Sequence, residues 1–142
     1  MKTFAPKQSE IKQEWNLVDV KGKSLGRVAS KIAALLRGKN SPTFAPYVIS
    51  GNYVVVINAK EVRLTGNKAE QKVYYKHSRF PNGLKAITAA KQREVKPEKL
   101  IEMAVAGMIP HNKLKKDILR KLKVYSGAEH DHEAQQPKPI EL

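Results

Sequence analysis

Apolar positions along this chain change period several times, and each change predicts an element. Residues 15–20 (Trp-Asn-Leu-Val-Asp-Val) predict a short strand, and Lys21-Gly22-Lys23 a turn after it. Leu25, Val28, Ala29, Ile32, Leu35 and Leu36 then recur at three- and four-residue steps. That is the stripe of an amphipathic helix, with Arg27 and Lys31 on its other side. Ser24 stands where an N-cap hydroxyl would accept from an unpaired backbone N–H. Gly38 stands where a chain leaves a helix in the left-handed conformation, and Arg37 and Lys39 put cations at the helix's negative end. Pro42, Pro46 and Gly51 make residues 40–52 a loop. Tyr-Val-Val-Val-Ile-Asn at 53–58 is apolar without alternation, which predicts a strand buried on both faces. Strand, helix and buried strand together make a βαβ unit with a parallel pair.

The second half is less regular. Val62-Arg63-Leu64 predicts a short strand running into a turn at Thr65-Gly66-Asn67-Lys68. Residues 72–79 mix aromatics and cations in a strand or extended loop, and Phe80-Pro81-Asn82-Gly83 is a turn. Pro97 suits the first position of a helix and Glu98 its positive end. Ile101, Ala104, Val105 and Met108 form its expected buried face, and Pro110 ends it. A strongly basic helix follows. On a 3.6-residue period Lys113, Lys116, Arg120 and Lys123 share one face, over roughly 15 Å of helix, and Leu114, Ile118 and Leu122 share the other. Like charges so spaced repel, so either a polyanion or solvent must cover them. Residues 122–125 also suit a final short strand. The expected organisation is a polar N-terminal arm (1–14), a single α/β domain (15–125) and a polar tail (126–142). The arm and tail are expected to order on a partner.

Charge narrows the class of partner. The net charge is +14, and 41% of the 142 residues are hydrophobic, enough for one domain with a modest core. The tail holds Glu129, Asp131, Glu133 and Glu141 against Lys138, a balance of −3, which leaves +17 on residues 1–125. A body so charged binds polyanions, nucleic acid first and an anionic membrane second. The membrane is the weaker choice, because Leu and Ile alone oppose the basic face, without an aromatic anchor. There is no cysteine, which excludes disulfides, cysteine-based zinc fingers and thiol catalysis. No apolar run reaches the ~18 residues of a transmembrane helix, and the N-terminus lacks a signal-peptide core. A cytoplasmic protein is expected.

Candidate chemistry is sparse. His130-x-His132 would need Asp131 or Glu133 to hold a metal, and tail histidines that contact a partner are the simpler reading. Thr65-Gly66-Asn67-Lys68 lacks the earlier glycine and the following Ser/Thr of a phosphate loop, so no nucleotide cofactor is expected. Ser78 and His77 are neighbours that point to opposite faces of an extended chain, which argues against direct activation. Asp19 reads as a turn or cap residue. The segment from Lys68 to Lys85 says more. Lys68, Lys72, Lys76, Arg79 and Lys85 alternate with Tyr74, Tyr75, His77 and Phe80, cations for phosphates and flat rings for unpaired bases. Alternation makes one of Tyr74 and Tyr75 a core residue.

These motifs accumulate in a known order. They are Trp15 with Val18-Asp19, Leu25-Gly26-Arg27, Arg37-Gly38-Lys39, Asn58-Ala59, Leu64-Thr65-Gly66-Asn67-Lys68 and Lys72-Val73-Tyr74-Tyr75. Gly83-Leu84-Lys85, Ala104-Val105, Gly107-Met108-Ile109-Pro110, Leu122-Lys123-Val124-Tyr125, His130-Asp131-His132 and Ala134-Gln135-Gln136-Pro137 follow. Over nearly its whole length the chain resembles the bacterial large-subunit ribosomal protein L13 family. The resemblance implies a three-layer α/β/α fold with a four-stranded parallel sheet, to which the residues add the basic helix and extended terminal segments. It implies a structural role in the large ribosomal subunit, binding to its ribosomal RNA, early subunit assembly and neighbouring ribosomal proteins. It implies no catalysis, cofactor or small-molecule substrate. The family's RNA contacts carry over to Arg27, Arg37, Lys39, Lys68, Lys72, His77, Lys85 and the stretch from His111 to Lys123. The full candidate set adds Lys31, Lys76 and Arg79, and takes His111, Lys113, Lys116, Arg120, Lys121 and Lys123 from that stretch. The chain departs from the family at Asn52 and Asn82, and most after Pro110, where His111 to Asp117 replace a glycine-richer run. Two rival readings are a small nucleotide-dependent enzyme, suggested by the parallel α/β pattern, and an RNA regulator outside the ribosome.

Overall fold

A computed structural model describes residues 4–142. The first three residues of the expected arm lie outside it. In chain order the elements are β1 (Trp15–Asp19), α1 (Leu25–Arg37), β2 (Tyr53–Ile57), α2 (Lys68–Gln71), β3 (Val73–His77) and β4 (Leu84–Thr88). Then come α3 (Ala89–Val95), α4 (Pro97–Met108), α5 (Lys115–Arg120), β5 (Leu122–Val124) and β6 (Lys138–Pro139).

The predicted βαβ unit forms the centre. β1 and β2 pair in parallel, from Trp15 opposite Tyr53 to Asp19 opposite Ile57, with α1 as the crossover. β5 joins the free side of β2 and β6 the free side of β1, both parallel, giving a four-stranded sheet in the order β5-β2-β1-β6. Strand alternation sends Val18, Val54, Val56 and Leu122 to one face. There they join one apolar cluster with Ile32 and Leu36 of α1, Leu100, Ile101 and Val105 of α4, and Ile118 of α5. Each such side chain, fully buried, contributes about 1.5–3 kcal/mol.

β5 and β6 are at opposite edges of the sheet, so residues 125–137 must cross it. The helices hold one face, and the crossing runs over the other. Trp15 stacks on Tyr53 there, ring centroids 4.4 Å apart and 8° from coplanar, and the His132 ring lies 4.9 Å from Trp15. The third layer is therefore this segment with its single 3₁₀ turn at Glu133–Gln135. The tail predicted no strand, yet Ile140 N–H donates to the Leu17 carbonyl at 2.8 Å.

Around α1 most expectations hold. Gly38 takes φ 75° and donates to the Ala34 and Leu35 carbonyls. A Cβ on Gly51 would fall on the Leu36 carbonyl, so only glycine lets the 40–52 loop lie against the helix end. Ser50 Oγ donates to the Arg37 carbonyl at 3.1 Å and Asn52 N–H to the Leu35 carbonyl at 3.2 Å, which straps the loop down. The described part of the arm is held too, because Gln8 bonds both backbone groups of Ile49 through its side-chain amide.

Elsewhere the structure differs. Ser24 occupies the N-cap position without using its hydroxyl, and Leu25 N–H goes to the Arg63 carbonyl at 3.0 Å instead. Residues 62–64 form no strand beyond that bridge between Ser24 and Arg63. α4 buries Leu100, Ile101 and Val105 and leaves Met108 44% exposed. β4 and α3 were not expected. β3 and β4 form a separate antiparallel hairpin that reaches the body through α3, which packs on α4.

Candidate nucleic-acid interface

The expected basic helix is the main correction. α5 has only 6 residues, and β5 begins two residues after it ends. Leu114, Ile118 and Leu122 are separated by even steps, so they fit a helix stripe and also lead into strand alternation with Val124. Backbone pairing of Leu122, Lys123 and Val124 with Val54, Val55 and Val56 decides for the strand. Lys113 precedes the helix and Lys123 sits in the edge strand, so the four-cation helix face does not form. Lys113, Lys116 and Lys123 are exposed one by one, and Arg120 pairs with Asp117 at 3.0 Å. His111 Nδ1 accepts from Lys115 Nζ at 3.0 Å. Lys121 is buried at 7% exposure, with Nζ donating to the Gly51 carbonyl at 2.8 Å. Burial lowers its pKa from 10.5 to about 8.

Other candidates are brought together. Arg27 on α1 and Lys68 and Lys72 at the ends of α2 line one open cleft of about 650 Å³, joined by Arg63, which was not among the candidates. Its far wall is the last turns of α4. Lys31 follows Arg27 by one turn of α1 and is exposed. Arg37 and Lys39 are at the other end of that 13-residue helix, Arg37 about 15 Å along it from Arg27. Arg37 lies over the Phe44 ring at 5.5 Å.

The hairpin carries a second group. Lys76 and Lys85 are directly opposed across β3 and β4, and both are exposed. Like charges in that register destabilise a hairpin that stands alone. His77 accepts from Arg79 N–H at 2.8 Å through Nδ1, which shapes the turn toward Phe80, 74% exposed at the tip. Tyr74 packs against the core while Tyr75 is 67% exposed, the split that alternation requires. Lys76 and Lys85 also line an apolar groove with Lys91, Lys96 and Lys99, none of these three a candidate; residues 84–96 carried no assigned period, and Lys99 was read only as part of the helix from Pro97.

Few of these charges are compensated. Among the described residues, only Lys21, Arg120 and Lys138 pair with a carboxylate, and all three pairs are exposed. Arg27, Lys31, Lys39, Lys68, Lys72, Lys76, Arg79, Lys85, Lys113, Lys116 and Lys123 have no acidic partner there.

Asp19 has the turn role expected of it. Its Oδ1 accepts from Asn58 Nδ2 at 2.8 Å and from Lys21 N–H at 3.0 Å, and these bonds hold its carboxyl below the usual range. His132 lies against Trp15 and Tyr125, a packing role in the tail. Among the described residues no helix is long and apolar enough to cross a membrane.

A small parallel α/β body with this many uncompensated cations is the build of a polyanion-binding protein, and comparison with known proteins makes the class specific. The model of the family described as Ribosomal protein L13 matches residues 13–131. The chain is 51% identical to the large ribosomal subunit protein uL13 of Methylococcus capsulatus and 53% identical to that of Vibrio parahaemolyticus, over the full length of both chains in each case. It is 51% identical to the protein of the same name in Salinispora arenicola, over all of this chain and 97% of the relative. The chain belongs to the ribosomal protein L13 family, a family of ribosomal components and not of enzymes.

Proposed function

We propose that this protein is a structural constituent of the large ribosomal subunit in the cytoplasm, where it binds large-subunit ribosomal RNA and supports early assembly. The observation that carries the RNA reading is the set of exposed, uncompensated cations, above all Lys76 opposite Lys85. An arrangement that weakens the isolated protein becomes favourable when phosphates lie between the charges. The rigid sheet fixes where the charges stand, and no reacting group is required. The interface comprises the cleft (Arg27, Lys68, Lys72), the hairpin (Lys76, His77, Arg79, Lys85), the α1 cations (Lys31, Arg37, Lys39) and the stretch from His111 to Lys123. Lys121 is left out, because its ammonium is committed to Gly51 inside the fold. Neighbouring large-subunit proteins are the second class of partner.

Binding of the purified protein to large-subunit ribosomal RNA across a salt series tests this. The logarithm of affinity should fall linearly with the logarithm of salt, by about 0.7–0.9 per phosphate contact. Lys68→Glu and Lys116→Glu should each weaken binding and lower that slope by about 1. Unchanged affinity and slope in both variants would remove these surfaces from the interface.

A further inference from the structure

Two helix glycines have no explanation inside the protein. Gly26 is in the first turn of α1 and Gly107 in the last turn of α4. Neither has positive φ, and a Cβ built on either meets no atom within 4 Å. Alanine would fit both positions and stabilise both helices, since glycine is among the poorest helix formers. Gly51 is different, because there the fold itself needs the missing Cβ. Gly26 and Gly107 both line the 650 Å³ cleft, on walls contributed by different helices. Together they leave the backbones of both helices bare toward that space.

The rest of the cleft indicates what comes. Its cations are Arg27, Arg63, Lys68 and Lys72, and no acidic residue lines it. The opposite wall is uncharged: Met103 and Met108, 37% and 44% exposed, flank Ala104 and Gly107. Polarisable thioethers beside a bare helix backbone make a platform for a flat ring. The volume is in the range that encloses a small organic ligand. One wall for phosphate and one for a base describe a single nucleotide turned out of its stack.

We propose that this cleft receives one extruded nucleotide of the ribosomal RNA, with its phosphates held by Arg27, Arg63, Lys68 and Lys72 and its base laid against Gly107 and the two methionines. Gly26 and Gly107 are glycine so that the nucleotide can approach both helix backbones. This rests on the RNA-binding reading above and adds to it a site that recognises shape as well as charge.

The test pairs charge-preserving and charge-removing variants of the full chain against a full-length large-subunit ribosomal RNA transcript. Gly26→Ala and Gly107→Ala should raise the melting temperature of the free protein by about a few degrees. They should weaken RNA binding at least about tenfold with the salt slope unchanged, because no phosphate contact is deleted. Arg63→Gln and Lys72→Gln should weaken binding and flatten the slope. If both alanine variants keep wild-type affinity while the glutamine variants lose it, the cleft holds no nucleotide and the RNA-binding reading stands. If all four keep wild-type affinity, this cleft is not part of an RNA interface at all, and the broader reading loses one of its surfaces. A fall in melting temperature for either alanine variant would mean that the glycine serves the fold, which also overturns the proposal.

Discussion

At Lys121 the ammonium lies 5.4 Å from the centre of the Tyr53 ring and donates to the Gly51 carbonyl, in a residue that is buried. Its neighbours Arg120 and Lys123 are exposed, and in the sequence the three look alike. What separates them is register. Val54 N–H donates to the Lys121 carbonyl at 3.1 Å, which fixes this residue at the entry to β5 and turns its side chain inward. A run of cations carries no such information, so the candidate set included Lys121 with the rest. The burial has a measurable consequence. Desolvation lowers the folded-state pKa to about 8. Below that pH both folded and unfolded chains hold the proton, and the penalty of burying the charge is constant. Between about 8 and 10.5 the unfolded chain keeps a proton that the folded chain has lost, so stability rises with pH. Urea unfolding at about pH 7 and about pH 10 should therefore show wild type gaining up to about 2–3 kcal/mol relative to Lys121→Met. The same pH dependence in both proteins would contradict the assignment. Asp19 was legible by contrast, because a carboxylate at a strand end two residues before a turn amide has one obvious local acceptor role.

At the scale of elements, legibility followed the strength of the period. α1 and β2 have long, unambiguous apolar patterns, and both formed where expected with Gly38 as the stop. β4 and α3 did not announce themselves. Leu84-Lys85-Ala86-Ile87-Thr88-Ala89-Ala90 alternates weakly and then turns helical, and the strand exists because β3 lies beside it. α5 was overextended for a related reason: its apolar spacing suited two periods, and pairing with β2 chose between them. β6 has two residues, one of them a proline, a pattern readable as a strand only once the edge of β1 is there to receive it. The hairpin offers the clearest test at this scale. Lys85→Glu replaces a like-charge pair with an opposite one across β3 and β4. It should stabilise the free protein by about 0.2–1 kcal/mol, measured by urea unfolding, and weaken RNA binding in the same preparation. Stabilisation with unchanged RNA affinity would take the hairpin out of the interface.

For the whole molecule, the sequence supported a polyanion-binding α/β domain, and the motif order supported the family. It did not supply the assembly of the surface. Arg27, Arg63, Lys72 and Gly107 belong to separate stretches of chain and meet only because α1 and α4 pack on the same face of one sheet. Gly26 and Gly107 likewise read in the sequence only as parts of family motifs, and their shared place became visible when the fold showed nothing filling the space above them. The fold sorts the basic residues into an exposed set with no acidic partner, a few exposed pairs, and the buried Lys121. The central claim is that the exposed set exists for the large ribosomal subunit. Sucrose-gradient sedimentation of a cell lysate at high salt, with this protein quantified by mass spectrometry across the fractions, tests that most directly. The account predicts near-stoichiometric recovery with large subunits. Recovery at the top of the gradient, apart from the subunits, would contradict it.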